Sequence, residues 1–321
     1  MNGSNALHIE YDRRISEKIR RELGSVVCAL LEDKTVIEIM LNPDGRLWVE
    51  RLGRPMEVVG EMSAIQAESL MGTVASTLKT QITASNPILE CELPFDGSRF
   101  EALIPPVVSA PVFTIRKKAI QVFTLEDYVS SGIMTLHQSK VIKDSVKDHL
   151  NILVAGGTGT GKTTLTNAII DYMAVEANQD RIVIIEDTGE LQCTAENVVI
   201  MRTVDHVDMT RLLKSTMRLR PNRILIGEVR DGAALALLKA WNTGHPGGIA
   251  TVHANSAIEG LLRMEELVAE ANTSPKQRLI AAAINVIIFI AKNSMHPAGR
   301  IVREIILVNG YDGQNYLIKP M

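Results

Sequence analysis

Residues 155–165 read AGGTGTGKTTL: Gly156 and Gly161 bracket four residues, and Lys162 and Thr163 follow at once. Gly157, Gly159 and Gly161 let the backbone curl until its N–H groups point inward, as phosphate oxygens require. Thr158, Thr160 and Thr164 complete the loop. Lys162 brings a positive head for the outer phosphates, and the Thr163 hydroxyl suits Mg²⁺. The pattern has meaning only between a strand and a helix, and NILVA before it and TTLTNAIIDYMAVEA after it supply both. The helix also turns its positive N-terminal end toward the same charge. The chemistry is that of a nucleoside triphosphate site with Mg²⁺. A glycine-rich turn matching by accident would need the flanking elements to match by accident as well.

Three further stretches carry polar groups where an apolar strand should continue. RILIGEVR, 223–230, runs aliphatic and then places Glu228 at its end. A charge there has to be paired or employed. In a parallel sheet the carboxyl ends of strands face the ligand crevice beside the phosphate loop, so Glu228 can aim at the γ-phosphate and orient or deprotonate a water. The plainer reading is an ion pair with Arg230 or Arg223. IIEDTGEL brings Glu186, Asp187 and Glu190 to a second strand end. Its strand directly follows the phosphate-loop helix, which puts Glu186 near the metal, acting through a bound water. A solvated helix start accounts equally well for Asp187 and Glu190. TGHPGGIATVHANS holds His245 and His253 without any partner at metal-ligand spacing. Lone histidines are more often structural, but His253 ends an apolar strand on the edge of Glu228, and both histidines are candidates to read the γ-phosphate by hydrogen bonding.

These residues need a scaffold, and the chain divides into two patterns. RRISEKIRRELGSVVCALLED is helical in period, VIEIMLNPDGRLWVERLG reads as a hairpin turning at Pro43-Asp44-Gly45, and Ser63 with Gln66 has capping-box spacing. PFDGSRFEALIPPVVSAPVFTIRKK adds strands broken by prolines. Helix, hairpin, helix and strands predict a small α+β domain over 1–130, with a linker over 131–140. From there to 321 strands and helices alternate. Asp208 is placed to cap DMTRLLKSTMRL, Ser256 with Glu259 to cap SAIEGLLRMEELVAEA, and REIILVNGYDGQNYLI is an edge hairpin. This predicts an α/β domain with a largely parallel sheet covered on both faces.

Composition removes several classes. With 46% hydrophobic and 22% charged residues, long disorder is excluded. A net charge of −3 and only 4% aromatics give a nucleic acid neither a basic surface nor a stacking platform, so no specific nucleic-acid site is expected. Cys28, Cys91 and Cys193 are scattered and odd in number, which reads as free thiols in the cytoplasm. MNGSNALHIEYDRR lacks the features of a signal peptide. AAAINVIIFIA is too short to span a bilayer and is interrupted by Asn285.

In their order, GGTGTGKTT, IIEDTGEL, LIGEVRD and GHPGGIATVHANS resemble the motifs of the secretion and traffic ATPases of type II and type IV secretion and type IV pili. The resemblance covers nearly the whole chain. MRLRPNRILIGEVRD is closest to the type IV secretion branch and, within it, to ATPases of conjugative mating-pair formation. It implies a RecA-like P-loop ATPase domain behind a smaller α+β domain, nucleotide between the two, and a homohexameric ring. The ring would work in the cytoplasm, peripherally at the inner membrane, with components of a conjugation machine as partners. The family's N-terminal arginines that reach the phosphates match Arg99 and Arg116 here, and Arg218 and Arg220 match a segment that acts across subunits. No tetracysteine zinc site is present. The contrasting readings are a nucleotide-gated scaffold with little turnover and a DNA-translocating RecA-like ATPase. A GTPase lacks its NKxD motif, and a small-molecule kinase lacks an evident acceptor site.

Overall fold

An apolar stripe at helical spacing, Ile19, Leu23, Val27, Leu30 and Leu31, makes the amino-terminal segment a packing helix, and all five side chains are buried. The computed structural model describes residues 2–51, 54–118, 122–204 and 206–321, with the backbone alone for 2–9, 11 and 12. The first helix, α1 (Asn2–Glu32), breaks at Gly24, where φ is +79°. It is followed by β1 (Val36–Leu41), β2 (Arg46–Arg51), β3 (Glu57–Glu61), α2 (Ala64–Thr77), β4 (Ile88–Glu92), β5 (Arg99–Leu103) and β6 (Val112–Arg116). The strands form one sheet in the order β3-β2-β1-β6-β5-β4, with antiparallel neighbours throughout. The hairpin turns where the sequence pattern puts it: Gly45 has φ +82° and its N–H donates to Asn42. Ser63 caps α2 by accepting from the Gln66 N–H. Alternation along β1, β5 and β6 buries Ile39, Leu41, Phe100, Ala102, Phe113 and Ile115 against α1 and α2.

The chain separates into two compact units, Met1–Ile120 and Gln121–Met321. The second begins with α3 (Leu125–Ser130) and α4 (Leu136–Lys147), over the residues that the sequence pattern assigns to the domain end and the linker. Each is opened by a full capping box, Thr124 with Asp127 and Thr135 with Gln138. Their Leu125, Tyr128, Ile142 and Val146 are buried in the second unit's core. Then come β7 (Ile152–Gly156), α5 (Lys162–Glu176), β8 (Ile182–Glu186), β9 (Val198–Arg202), α6 (Met209–Thr216), β10 (Arg223–Ile226), α7 (Ala233–Trp241), β11 (Ile249–His253), α8 (Ala257–Ala271), α9 (Gln277–Ala283), β12 (Val286–Lys292), β13 (Arg300–Tyr311) and β14 (Tyr316–Pro320).

Among the described residues these strands form one sheet in the order β14-β13-β12-β7-β11-β10-β8-β9. From β12 to β9 all neighbours are parallel, and β13 and β14 fold back antiparallel as the expected edge hairpin. The sheet has an apolar core on each face, one under α6 to α9 and one under α3 to α5. Fully buried strands account for the unbroken aliphatic runs NILVA, RIVII and RILI. Asp208 and Ser256 cap α6 and α8 as their spacing predicts. The apolar stretch 281–291 divides between α9 and β12, and no described helix is long and apolar enough to cross a membrane.

The amino edge of the parallel strands is tied by polar pins. Asn285 Oδ1 accepts from the Asn151 N–H, Asn151 Nδ2 donates to Ala283 O, and Asn151 Oδ1 accepts from the Gly248 N–H. Beside them Arg223 is 1% exposed, with Nε 2.6 Å from Asp180 Oδ2. Its other nitrogens donate to the carbonyls of Gly247 and Val146 and lie against His149. Arg223 is therefore occupied at this edge and does not pair with Glu228. Removing it takes the guanidinium from Asp180, which keeps only His149 among the described residues, and a donor from the carbonyls of Gly247 and Val146. Arg223→Ala should cost about 3–5 kcal/mol, a drop of roughly 6–20 °C in melting temperature. Thermal denaturation followed by circular dichroism measures this, and a drop below about 2 °C would show that the network holds nothing.

Candidate functional site

The carboxyl edge of β7 delivers the glycine loop. Gly159 and Gly161 have φ +68° and +94°, backbone that only glycine adopts freely. A Cβ on Gly156 would lie 2.6 Å from Ile290 O and 2.7 Å from Thr160 Oγ1, so a side chain cannot fit there. Thr160 is buried and donates to Gly157 O across the loop at 3.0 Å. Helix α5 starts at Lys162 behind Gly161, and no side chain caps it. Its first N–H groups are thus left for an anion, and Thr158 and Thr164 flank them. Lys162 is 8% exposed and its Nζ donates to Gly157 O at 2.9 Å.

Parallel register then assembles the acids and one histidine around this lysine. His253 at the end of β11 pairs with Gly156 at the end of β7. Its ring nitrogens stand 3.4 and 3.5 Å from Lys162 Nζ. His253 Nε2 in turn stands 3.1 Å from Glu228 Oε1. Glu228 follows β10, and Arg230 Nη2 donates to its Oε2 at 2.8 Å while Nη1 lies 3.8 Å from Asp187. Glu228 thus forms the ion pair with Arg230 that the sequence allows, and it stands one histidine away from Lys162. Burial pushes its carboxyl up, but the Arg230 hydrogen bond and the charges of Arg230, His253 and Lys162 outweigh burial and hold it below its ordinary value. The glycine ahead of it has a steric reason. A Cβ on Gly227 would lie 3.0 Å from the Glu186 Cβ on neighbouring β8.

Glu186 itself is 2% exposed, and its Oε2 accepts from the N–H groups of Glu190 and Leu191. It shapes the turn that carries Glu190. The carboxylate on Thr163 is that of Glu190, whose Oε2 accepts from Thr163 Oγ1 at 3.2 Å. Asn167, which no motif singles out, secures this turn: Nδ2 donates to Glu190 O and Oδ1 accepts from the Gln192 N–H. Its signal in the sequence is its place one helical turn after Thr163. Asp187 accepts from Thr203 Oγ1.

His245 is not brought to the loop. It lies in the turn that enters β11, at the amino edge, while His253 lies at the strand's other end. Five strand residues, about 15 Å, separate the two edges. Its Nδ1 is buried without a hydrogen-bond partner among the described residues. Arg218 and Arg220 are exposed ahead of β10, at that same amino edge. In the other unit Arg99 and Arg116 are direct cross-strand partners on β5 and β6. Glu92 stands opposite Arg99, and Glu38 stands opposite Arg116 with 3.7 Å between Oε1 and Nε. With Glu50 opposite Glu38, the row reads acid, arginine, arginine, acid, acid.

A family model described as type II/IV secretion system protein matches residues 21–303. A probable conjugal transfer protein TrbB of Sinorhizobium fredii is 51% identical over 306 residues, 95% of this chain and 93% of that protein. The type IV secretion system protein VirB11 of Bartonella quintana is 34% identical over 288 residues, 76% of this chain and 79% of that one. The solved Legionella pneumophila ATPase DotB has a TM-score of 0.62 at 18% identity, over 87% of this chain and 79% of that one, and shares the fold.

The turn that presents Glu190 depends on Asn167, which is 1% exposed and satisfies one donor and one acceptor. Asn167→Leu keeps the volume and orphans both, at about 1–3 kcal/mol each. Hydrogen exchange should then quicken at the Gln192 amide while the amides of β7 keep their protection. Unchanged exchange at Gln192 would assign the turn's order to something else.

Proposed function

The chain belongs to the type II/IV secretion system protein family, and on that ground we propose that it hydrolyses ATP to ADP and phosphate to power conjugative type IV secretion. The observation that carries the reading is the convergence on one glycine loop of Lys162, His253, Glu228 and the Thr163–Glu190 pair. Thr163 and Glu190 offer hard oxygen donors side by side, which fits Mg²⁺ with its remaining positions left to water and phosphate. When bound, that ion supplies charge neutralisation across the outer phosphates.

The loop amides and Lys162 hold the triphosphate, and Lys162 exchanges Gly157 O for phosphate oxygen. Glu228, ionised and directed by His253, orients a water toward the γ-phosphorus. The water oxygen bonds to that phosphorus as its bond to the β-phosphate oxygen breaks, ADP leaves, and the water's proton passes to Glu228 or to the released phosphate. Glu186 acts through the turn it holds. Arg99 and Arg116 neutralise charge on the transferred group, a contribution that reaches ~10³-fold in other phosphoryl-transfer enzymes. His253, touching both Lys162 and Glu228, registers whether the γ-phosphate remains. In this reading the two units are the N-terminal and RecA-like domains, six chains form a ring, and the ring acts peripherally at the inner membrane with the conjugation machine.

Steady-state phosphate release tests the core of this reading. Glu228→Gln should lower turnover by about a hundredfold or more and still bind ATP, while Lys162→Ala should lose binding and turnover together. Turnover surviving both changes would remove the mechanism. A pH profile tests the role of Arg230. The Glu228 carboxyl is held low, so its ionised form is present above its folded pKa and is lost as pH falls through it. Without Arg230 burial is opposed only by His253 and Lys162, and the pKa rises. The acid limb of kcat/KM in Arg230→Gln should therefore move to higher pH. A limb that stays put would mean that Glu228 does not set it.

A further inference from the structure

Glu228 and His253 flank the glycine loop from β10 and β11, on one side of β7 in the sheet. The other side is occupied by β12 and β13, and these strands bring two cations that no sequence motif marks. Lys292 ends β12, Arg300 opens β13, and the two are direct cross-strand partners. Both lie against the glycine loop. A Cβ on Gly161 would come 2.5 Å from Arg300 Nη1, and one on Gly159 would come 3.3 Å from Lys292 Nζ.

Like charges directly opposite one another on a sheet repel. Among the described residues neither cation has a carboxylate partner within ion-pair distance. Both stand where loop amides and the start of α5 already make the potential positive. Their placement is fixed by the fold. The Val302 N–H donates to Ile133 O at 2.7 Å, Gln138 Nε2 donates to Val302 O at 3.0 Å, and the Asn293 N–H donates to Gly299 O to close the hairpin. A positive pair without acids, held against a loop built for phosphate, is incomplete without an anion.

We propose that Lys292 and Arg300 bind the diphosphate common to ATP and ADP, from the side of the loop away from the hydrolytic residues. The proposal rests on the nucleotide-site reading above and adds to it a pair that sets affinity for both nucleotides without discriminating between them. Hydrogen bonds to charged groups contribute about 1.5–3 kcal/mol, which is about tenfold or more in affinity.

The test is isothermal titration of the full chain with ADP and, separately, with a non-hydrolysable ATP analogue. Arg300→Ala and Lys292→Ala should each weaken ADP about tenfold, the double variant should weaken it further, and the ATP analogue should lose affinity by the same factor. Arg300→Lys should recover most of the loss. Melting without nucleotide shows whether each variant is folded, and should Arg300→Ala fail to fold, the exposed Lys292 with Arg300→Gln carries the comparison. ADP affinity within twofold of the unsubstituted chain in the double variant overturns the proposal, as does a loss confined to the ATP analogue. If Lys162→Ala abolishes binding while these variants do not alter it, the nucleotide site stands and this pair falls. If the folded unsubstituted chain binds neither nucleotide, both readings fall.

Discussion

A nearly buried ammonium, that of Lys162, stands at the mouth of a loop whose backbone N–H groups already favour negative charge. An uncompensated cation in such a place is expensive, and the surrounding structure can be understood as the way the chain accommodates it. Its head is held by Gly157 O and lies against His253, and His253 leads to Glu228, then Arg230, then Asp187. From Glu228 onward charge alternates along the series. A phosphate entering beside Lys162 would add negative charge at one end and weaken the hold of His253 and Arg230 on Glu228. The depressed pKa of Glu228 belongs to this series: a carboxylate kept ionised orients a water more readily than it removes a proton outright.

The two edges of the parallel sheet have different tasks. The carboxyl edge carries groups with spare hydrogen-bonding capacity, among them the uncapped start of α5. The amino edge is where polar groups are spent on holding strands together, through Asn151, Asn285 and the Arg223–Asp180 pair. Separation has a physical advantage. The amino-edge ends of β7, β10 and β11 are fixed by bonds remote from the glycine loop, which keeps the strands in register.

Residues whose identity is dictated by local backbone were legible in the sequence: Gly159 and Gly161 by their positive φ, Ser63, Asp208 and Ser256 by their caps, and the hairpin by Gly45. Glu228 was legible because a carboxylate closing an aliphatic strand is costly unless it is paired or put to use. Groups whose neighbours come from distant segments were harder to read. Glu186 and Glu190 are nearly adjacent in the chain, and only the fold of the turn shows that one shapes it while the other meets Thr163. His245 and His253 share a motif, yet one short strand sends them to opposite edges. Lys292 and Arg300 had no local signal, since their meaning comes from an antiparallel pairing beside a loop far away in sequence.

Arg99 and Arg116 repeat the same logic in the smaller unit. Two arginines placed directly opposite each other work against the stability of β5 and β6, and the flanking Glu92 and Glu38 oppose that repulsion, with Glu50 standing on the far side of Glu38. A sheet selected for stability alone would alternate signs across its strands. Two arginines side by side between acids make a paired positive patch, which is what the proposed contact with a phosphoryl group would use. Each unit thus carries a cross-strand pair of like positive charges, Arg99–Arg116 in one and Lys292–Arg300 in the other, and the phosphate contacts proposed for both pairs would relieve the repulsion within each.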